Sequence, residues 1–284
     1  MEDSVVRSTE TEGSSTPLND PWQDEIERGA RFTFGRNWSR FLRQFNATRL
    51  ASAEQSLLDR LGCDSLKEKR FLDVGCGSGL FSLAAWRLGA RVVSFDYDPQ
   101  AVACAQFLRE KVHADEQSWT ILRGSALDAD FLAGLGCFDI VYAWGVLHHT
   151  GDQWRALNHV MQITASGGIL FVALYNDQGW ISQYWAIVKQ LYNQVWFMRP
   201  VLLAIYAPLY VGLRGAARAL RGPSRQERGM SLWYDLIDWL GGWPFEVAAP
   251  EQVLTHVQAQ GFQPLRVITV GRRHGCNEFV LERR

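Results

Sequence analysis

The residues best suited to ligand binding form a glycine-rich segment that reads Asp-Val-Gly-Cys-Gly-Ser-Gly over residues 73–79. Glycines let the backbone turn tightly and approach a ligand without a side chain in the way. A dinucleotide fingerprint would place its third glycine at position 80, where Leu80 stands, and the charge of Asp73 would repel a pyrophosphate. The segment therefore favours a cationic ligand, such as a sulfonium that also carries an ammonium group.

Three further segments follow later apolar runs. Asp96 ends the second run about 20 residues beyond the glycine turn, and a carboxylate there can accept hydrogen bonds from both hydroxyls of a ribose. Gly124–Ala126 follows the third run and is small enough to border an adenine. Trp144, His148 and His149 end the fourth. In a parallel sheet, all of these segments meet in one crevice at the carboxyl ends of the strands.

The elements that must position these residues alternate along the chain. Apolar runs begin near residues 70, 91, 119, 138 and 168, with helical patterns between most of them. This alternation predicts an α/β protein whose parallel sheet has helices on both faces. A helix over 250–260 then leads to strands at 264–270 and 277–282, and the tight turn between them makes the last strand antiparallel. A helical segment over 21–65 precedes the sheet, and residues 1–20 are predicted to be a disordered tail.

The motifs resemble those of the class I S-adenosylmethionine-dependent methyltransferases, in the style of the ubiquinone-biosynthesis and small-molecule O-methyltransferase branch. Residues 73–79 match the first motif of the family, 93–96 its second-strand acidic position and 138–149 its fourth-strand motif. The resemblance implies a Rossmann-like, doubly wound, seven-stranded sheet within residues 66–284. It also implies S-adenosylmethionine as the methyl donor and S-adenosylhomocysteine as the product.

By the same resemblance, the glycines lie under the methionine end of the donor, Asp96 binds its ribose, and Trp144 lines the sulfonium side. Ser125 and Ala126 lie by the adenine, although the family often has Asp where Ser125 stands. The expected cofactor-binding residues are Asp73, Gly75, Cys76, Gly77, Gly79, Asp96, Tyr97, Ser125, Ala126 and Trp144.

Methyl transfer to a hydroxyl needs alignment, exclusion of water and a group that takes the proton of the acceptor. His148 and His149 are the candidate catalytic residues because imidazole titrates near neutrality, and His149 is the preferred base. Either histidine can instead pack or hydrogen-bond to hold its loop. The candidate acceptor contacts are Tyr175 and Asn176 after the fifth strand, and Arg272, Arg273 and His274 in the last turn. These three would favour an anionic or phenolic acceptor, and the alternative is a solvated turn.

An insertion over about 177–246 interrupts the alternation with helical patterns at 180–194, 200–220 and 230–240. It is rich in Trp and Tyr, which indicates either helical core or an apolar acceptor pocket that closes as a lid. Asp235 and Asp238 share a helix face and could form a catalytic pair or remain solvated.

Two apolar segments have alternative interpretations. Pro200–Gly212 is almost entirely apolar but, at about 13 residues, shorter than the roughly 20 that span a bilayer. It could be a buried lid helix, a homodimer contact or a peripheral membrane contact. Phe32–Trp38 could close the cofactor crevice, with Arg36 paired to a carboxylate, or form a surface helix.

Composition limits the remaining possibilities. A net charge of −1 with 21% charged residues gives no basic surface for nucleic acid. Five scattered cysteines predict free thiols and no metal site, and the N-terminus lacks a signal-peptide pattern, so a cytoplasmic location is expected. The leading hypothesis is O-methylation of a small, apolar or aromatic hydroxyl acceptor. Alternatives are N- or S-methylation of a small molecule, a nicotinamide-dependent oxidoreductase and a non-catalytic cofactor-binding partner protein.

Overall fold

The computed structural model describes residues 20–35, 38, 45–221 and 232–284, with the side chains of 209–211, 213–221 and 232–235 left out. Its centre is a sheet of seven strands in the order β3-β2-β1-β4-β5-β7-β6. The strands are β1 (Arg70–Val74), β2 (Arg91–Asp96), β3 (Trp119–Arg123), β4 (Phe138–Trp144), β5 (Thr164–Tyr175), β6 (Phe262–Ile268) and β7 (Cys276–Arg283).

Strands β1 to β5 pair in parallel, and β7 runs antiparallel to both β5 and β6. The chain order changes direction between β1 and β4, and such a switch point opens a crevice at the carboxyl ends of the strands. The predicted Rossmann-like sheet with an antiparallel last strand is confirmed.

Helices cover both faces of the sheet. They are α1 (Pro21–Glu27), α2 (Ala47–Leu61), α3 (Leu80–Arg87), α4 (Pro99–Lys111), α5 (Ala129–Leu135), α6 (Gln153–Gln162), α7 (Trp180–Gln194), α8 (Met198–Arg221), α9 (Leu232–Gly241) and α10 (Pro250–Gln258). Several start at an aspartate whose carboxylate accepts a backbone N–H of the first turn: Asp98 caps α4, Asp128 caps α5 and Asp152 caps α6. The motif-bearing loops lie directly before these caps, so the caps fix where the loops end.

Two apolar clusters make up the core, one on each side of the sheet. Leu72 and Val74 of β1 face one cluster and Phe71 the other, as expected for a strand whose side chains alternate between the two faces. A third cluster joins the helices of the insertion through Val188 and Tyr192 of α7, with residues of α8 and α9. The insertion therefore has a core of its own.

None of the helices that the structure describes combines the length and hydropathy that a membrane crossing requires. The five cysteines are free thiols, as predicted. Residues 1–19, Arg36 and the side chain of Asp235 lie outside what is described, so the predictions made for them stay predictions.

Candidate active site

The glycine turn joins β1 to α3 at the floor of the crevice. Gly75 and Gly79 have positive φ angles of +66° and +76°. A Cβ atom at Gly75 would lie 2.5 Å from Cγ1 of Val146, and one at Gly79 would lie 2.9 Å from Cα of Ala105. Both the backbone conformation and the tight surroundings therefore require glycine at these positions. Between them, Cys76 is buried and its N–H donates to the Phe95 carbonyl over 3.0 Å.

Asp96 faces this turn from the end of β2. One carboxylate oxygen accepts the N–H of Gly77 at 2.9 Å and the other accepts the N–H of Asp98 at 2.9 Å. Each oxygen retains a second lone pair, which a sugar hydroxyl can use. Burial raises the pKa of Asp96 to about 6.

Asp73 lies at the other side of the turn and is almost wholly buried. Its Oδ2 accepts a hydrogen bond of 2.5 Å from the hydroxyl of Ser82 on α3. Burial, with the charge of Asp96 nearby, raises the pKa of Asp73 to about 7. Among the described residues, neither Asp73 nor Asp96 forms an ion pair. Two carboxylates, one buried and one half-buried, with no cationic partner among the described residues form a site that suits a cation.

Two of the predicted cofactor-binding residues line one cleft. Tyr97 and Ser125 share a cleft of about 480 Å³ with Arg31 and Leu127, among others. The guanidinium of Arg31 lies 4.9 Å from the Tyr97 ring centroid. Ala126 is buried behind this cleft, where its carbonyl contacts His159 at 3.0 Å.

Trp144 ends β4 on the opposite side of the crevice. Its indole N–H donates to Oε1 of Glu278 on β7 over 3.2 Å, and the same carboxylate pairs with Arg60 of α2 at 2.7 Å. The indole is therefore fixed to β7, which lies beyond β5 in the sheet.

The histidine pair follows in a 3-10 turn, Leu147–His149. The His148 ring is buried, its centroid is 3.8 Å from that of Tyr175, and its Nδ1 accepts the Tyr175 N–H at 3.3 Å. This geometry fits a structural role for His148.

His149 is held differently, by the loop that follows the insertion. Its Nδ1 lies 2.6 Å from the carbonyl oxygen of Pro244. Because a carbonyl can only accept, Nδ1 carries the proton and the Nε2 lone pair stays available. Burial lowers the pKa of His149 to about 3, so the imidazole is neutral in the physiological range.

The insertion brings aromatic rings against this histidine. The Tyr175 ring centroid lies 5.4 Å from that of His149, 5.9 Å from Trp239 and 5.2 Å from Phe245. Trp239 in turn lies 5.7 Å from His274. We call this group the aromatic cluster; it comprises His148, His149, Tyr175, Trp185, Trp239, Phe245 and His274. Four predicted site residues, His148, His149, Tyr175 and His274, thus come together.

Other predicted acceptor contacts lie elsewhere. The amide of Asn176 donates to the Gly271 carbonyl at 2.8 Å and accepts from Asn277 at 2.9 Å, so it holds the turn between β6 and β7. Arg272 and Arg273 are exposed in that turn. In the described parts of the chain, no three His, Cys, Asp or Glu side chains form a metal-binding group.

Sequence reasoning missed Lys189, which is completely buried in α7. Its ammonium donates to the Trp239 carbonyl and lies 4.3 Å from the Trp239 ring centroid and 4.9 Å from that of Phe245. Burial lowers the pKa of Lys189 to about 7, against the opposing charge of Asp238. The available signal was its spacing, four residues after Trp185 and three before Tyr192, which places a lysine on the apolar face of the helix.

Residues 31–35 and 38, which precede α2, lie against the glycine turn and His149. The N–H of Gly35 donates to the buried carboxylate of Asp98 at 2.8 Å. Phe34 packs against His149 with ring centroids 5.0 Å apart, and the Trp38 indole lies against Gly77. Arg31 donates to the His149 carbonyl at 2.9 Å. Of the two interpretations of residues 32–38, these contacts favour crevice closure.

Part of the chain is similar to known methyltransferases. Residues 72–172 match the model of a methyltransferase domain family. The ubiquinone biosynthesis O-methyltransferase of Parvibaculum lavamentivorans is 34% identical over 141 residues, which are 48% of this chain and 53% of that protein. The enzyme of the same name from Caulobacter vibrioides is also 34% identical, over 48% and 54% of the two chains. The chain spans about half the length of these curated relatives.

The fold extends further than the sequence match. A crystal structure of magnesium protoporphyrin IX methyltransferase from Synechocystis PCC 6803 with bound S-adenosylhomocysteine superposes with a TM-score of 0.54, at 15% identity, over 92% of this chain and all of that one. The chain has the class I, Rossmann-like methyltransferase fold. The match to the methyltransferase domain model, residues 72–172, spans the glycine turn, Asp96 and the histidine pair.

Proposed function

We propose that this chain transfers the methyl group of S-adenosylmethionine to a hydroxyl of a small, apolar or aromatic acceptor. The observation that carries the proposal is the pair of carboxylates around the glycine turn, the buried Asp73 and the half-buried Asp96. Their raised pKa values reflect burial that no cation of the described residues offsets. A ligand that carries a sulfonium and an ammonium group would supply the missing positive charge.

Each part of the donor has matching residues. The glycine backbone at 75–79 turns tightly and has no side chains at its glycines to obstruct the methionine end, and the free lone pairs of Asp96 suit the ribose hydroxyls. Tyr97 and Ser125 line the cleft assigned to the adenine. Bound here, S-adenosylmethionine supplies a methyl group activated by its positive sulfur. The similar fold of the Synechocystis enzyme, crystallised with S-adenosylhomocysteine, supports this assignment.

The acceptor side is assigned to the aromatic cluster. Because Pro244 fixes the proton of His149 on Nδ1, Nε2 would take the proton of the acceptor hydroxyl. The rings of Tyr175 and Trp239 would pack against an apolar acceptor and exclude water. The names of the curated relatives, O-methyltransferases of ubiquinone biosynthesis, favour oxygen over nitrogen or sulfur as the methylated atom.

Two measurements test the proposal. Calorimetry should detect S-adenosylhomocysteine binding to the wild-type chain and no binding of NADH, and the reverse result would favour the oxidoreductase. Isotopically labelled donor should then methylate a phenol in preference to the matched aniline and thiophenol. Donor binding without transfer to any member of a broad hydroxyl panel would favour a non-catalytic binding protein.

A further inference from the structure

The outer side of the helical insertion exposes an unusual amount of apolar surface. Trp180 is 75% exposed and Trp196 is 81% exposed, although Trp is among the side chains that gain most from burial. We call this region the α7–α8 surface; it consists of Trp180, Tyr184, Ile187, Trp196, Phe197, Val201 and Ile205.

The residues of the α7–α8 surface lie on the outward faces of two adjacent helices. Trp180, Tyr184 and Ile187 have i, i+4, i+7 spacing on α7, and Val201 and Ile205 are four residues apart on α8. The hydroxyls of Tyr184 and Tyr206 are in contact, which joins the two helices side by side. The opposite faces are already used, because Val188, Tyr192 and Leu202 form the core of the insertion.

The charged residues in the stretch of sequence that contains the α7–α8 surface are all of one sign. Residues 178–226 contain no acidic residue, and their basic residues, apart from the buried Lys189, are Arg199, Arg214, Arg218, Arg221 and Arg225. The whole chain, in contrast, has a net charge of −1. Exposed apolar side chains next to positive charge are typical of helices that lie in the interface of an anionic membrane.

The same charges argue against a second copy of the chain as the occupant. Two copies meeting through this region would bring like charges together without an acidic residue to compensate. Exposed Trp at a helix end and at the turn between two helices also fits the preference of Trp for the lipid–water interface. With no described helix able to cross a membrane, the contact would be peripheral.

We propose that the α7–α8 surface binds the headgroup and outer acyl region of an anionic phospholipid bilayer. This inference concerns a surface outside the crevice and is independent of the methyl-transfer proposal. Its basis is that the exposed apolar residues of α7 and α8 lie within a 49-residue stretch, 178–226, that has basic residues and no acidic residue.

The experiment is co-sedimentation of the full chain with vesicles of phosphatidylcholine alone and of phosphatidylcholine mixed with phosphatidylglycerol. We expect binding to the mixed vesicles that weakens in high salt. Trp196→Glu and Ile205→Glu should each lower the partition coefficient about tenfold to a hundredfold, as expected for the lost burial of a large apolar side chain. Arg214→Glu with Arg218→Glu should remove the preference for the anionic vesicles.

The matched control is Leu265→Glu on the edge strand β6, because Leu265 is 55% exposed but belongs to the sheet and not to α7 or α8. This control should bind vesicles as the wild type does, and all variants should keep the wild-type affinity for S-adenosylhomocysteine. Wild-type chain that never pellets with anionic vesicles would overturn the proposal. So would equal loss in the control, or a dimer in sizing chromatography that Ile205→Glu dissociates while vesicle binding is absent.

Discussion

At the scale of single residues, the raised pKa values of the two carboxylates at the glycine turn should make donor binding depend on pH. Asp73 and Asp96 have pKa values raised to about 7 and about 6, so both begin to take up protons as the pH falls from neutrality. A cationic donor favours their ionised forms, and binding at lower pH must therefore release protons.

We expect the affinity for S-adenosylmethionine to fall between pH 8 and pH 5, by up to about tenfold per pH unit for each proton released. Calorimetry in buffers of different ionisation enthalpy measures both the affinity and the released protons. Ser82→Ala removes a hydrogen bond that lowers the pKa of Asp73, so it should move the pH dependence upward. An affinity that stays constant over this range would contradict the role of the carboxylates.

The proton on Nδ1 of His149 leads to a second prediction at this scale. His149→Phe keeps an aromatic ring but removes Nε2, and it should reduce the methylation rate about 10²- to 10⁴-fold while donor affinity changes little. His256→Phe on α10 serves as the control, because His256 contacts Asn158 outside the aromatic cluster. Since burial keeps the pKa of His149 near 3, the wild-type rate should have no inflection at pH 6.5 from this group. A His149→Phe variant with the wild-type rate would exclude His149 as the base.

How far the sequence predicted the site differs from residue to residue. The glycines, Asp96 and the histidine pair stand at recognisable spacings after apolar runs, so their positions followed from the periodicity of the strands. Lys189 and Arg31 could not be found in this way, because their roles arise from contacts with Trp239 and the His149 carbonyl, far away in the chain.

At the scale of elements, the helices of the insertion were predicted within two residues at each end, because their aromatic and aliphatic residues recur at helical spacing. Helix α5 was missed. It has seven residues, Ala129–Leu135, buries only Leu132, and contains Gly134, so it offers little periodicity. Its aspartate cap, Asp128, was the remaining signal.

The packing of α7 against α9 predicts how stability depends on pH. Burial lowers the pKa of Lys189 from 10.5 to about 7, so the unfolded chain binds the extra proton between these values and stability rises with pH across that window. Lys189→Met removes this titration. We expect the free energy of unfolding of the wild type, relative to the variant, to rise by up to about 1.4 kcal/mol per pH unit from pH 7 to 10. Urea unfolding at several pH values measures it.

The control for this measurement is Lys67→Met, because Lys67 is exposed. Its unfolding free energy should run parallel to that of the wild type across the same pH values. If Lys189→Met ran parallel to the wild type as well, Lys189 would not be buried as an amine of lowered pKa.

At the scale of the whole molecule, strand alternation and one tight turn were enough to predict the sheet and its antiparallel last strand. The sequence did not predict where the insertion packs in space, because helical periodicity shows which face of a helix is apolar but not what that face packs against. In the structure, the insertion and the segment before α2 meet over the crevice: Phe32 donates its N–H to the Trp243 carbonyl at 3.0 Å, and Phe34 packs on His149. Parts of the chain outside the sheet thus meet next to His149.

The most direct test of the account is a calorimetric titration of S-adenosylhomocysteine into the wild type, Asp96→Ala and the control Asp139→Ala. Asp139 accepts the Arg70 N–H at the opposite edge of the sheet, so its loss should leave binding intact. The account predicts that Asp96→Ala weakens binding by about 1–3 kcal/mol, or about 5- to 150-fold, through lost hydrogen bonds to a charged group. A folded wild type that binds no S-adenosylhomocysteine, or an Asp96→Ala variant that binds it equally well, would contradict the account.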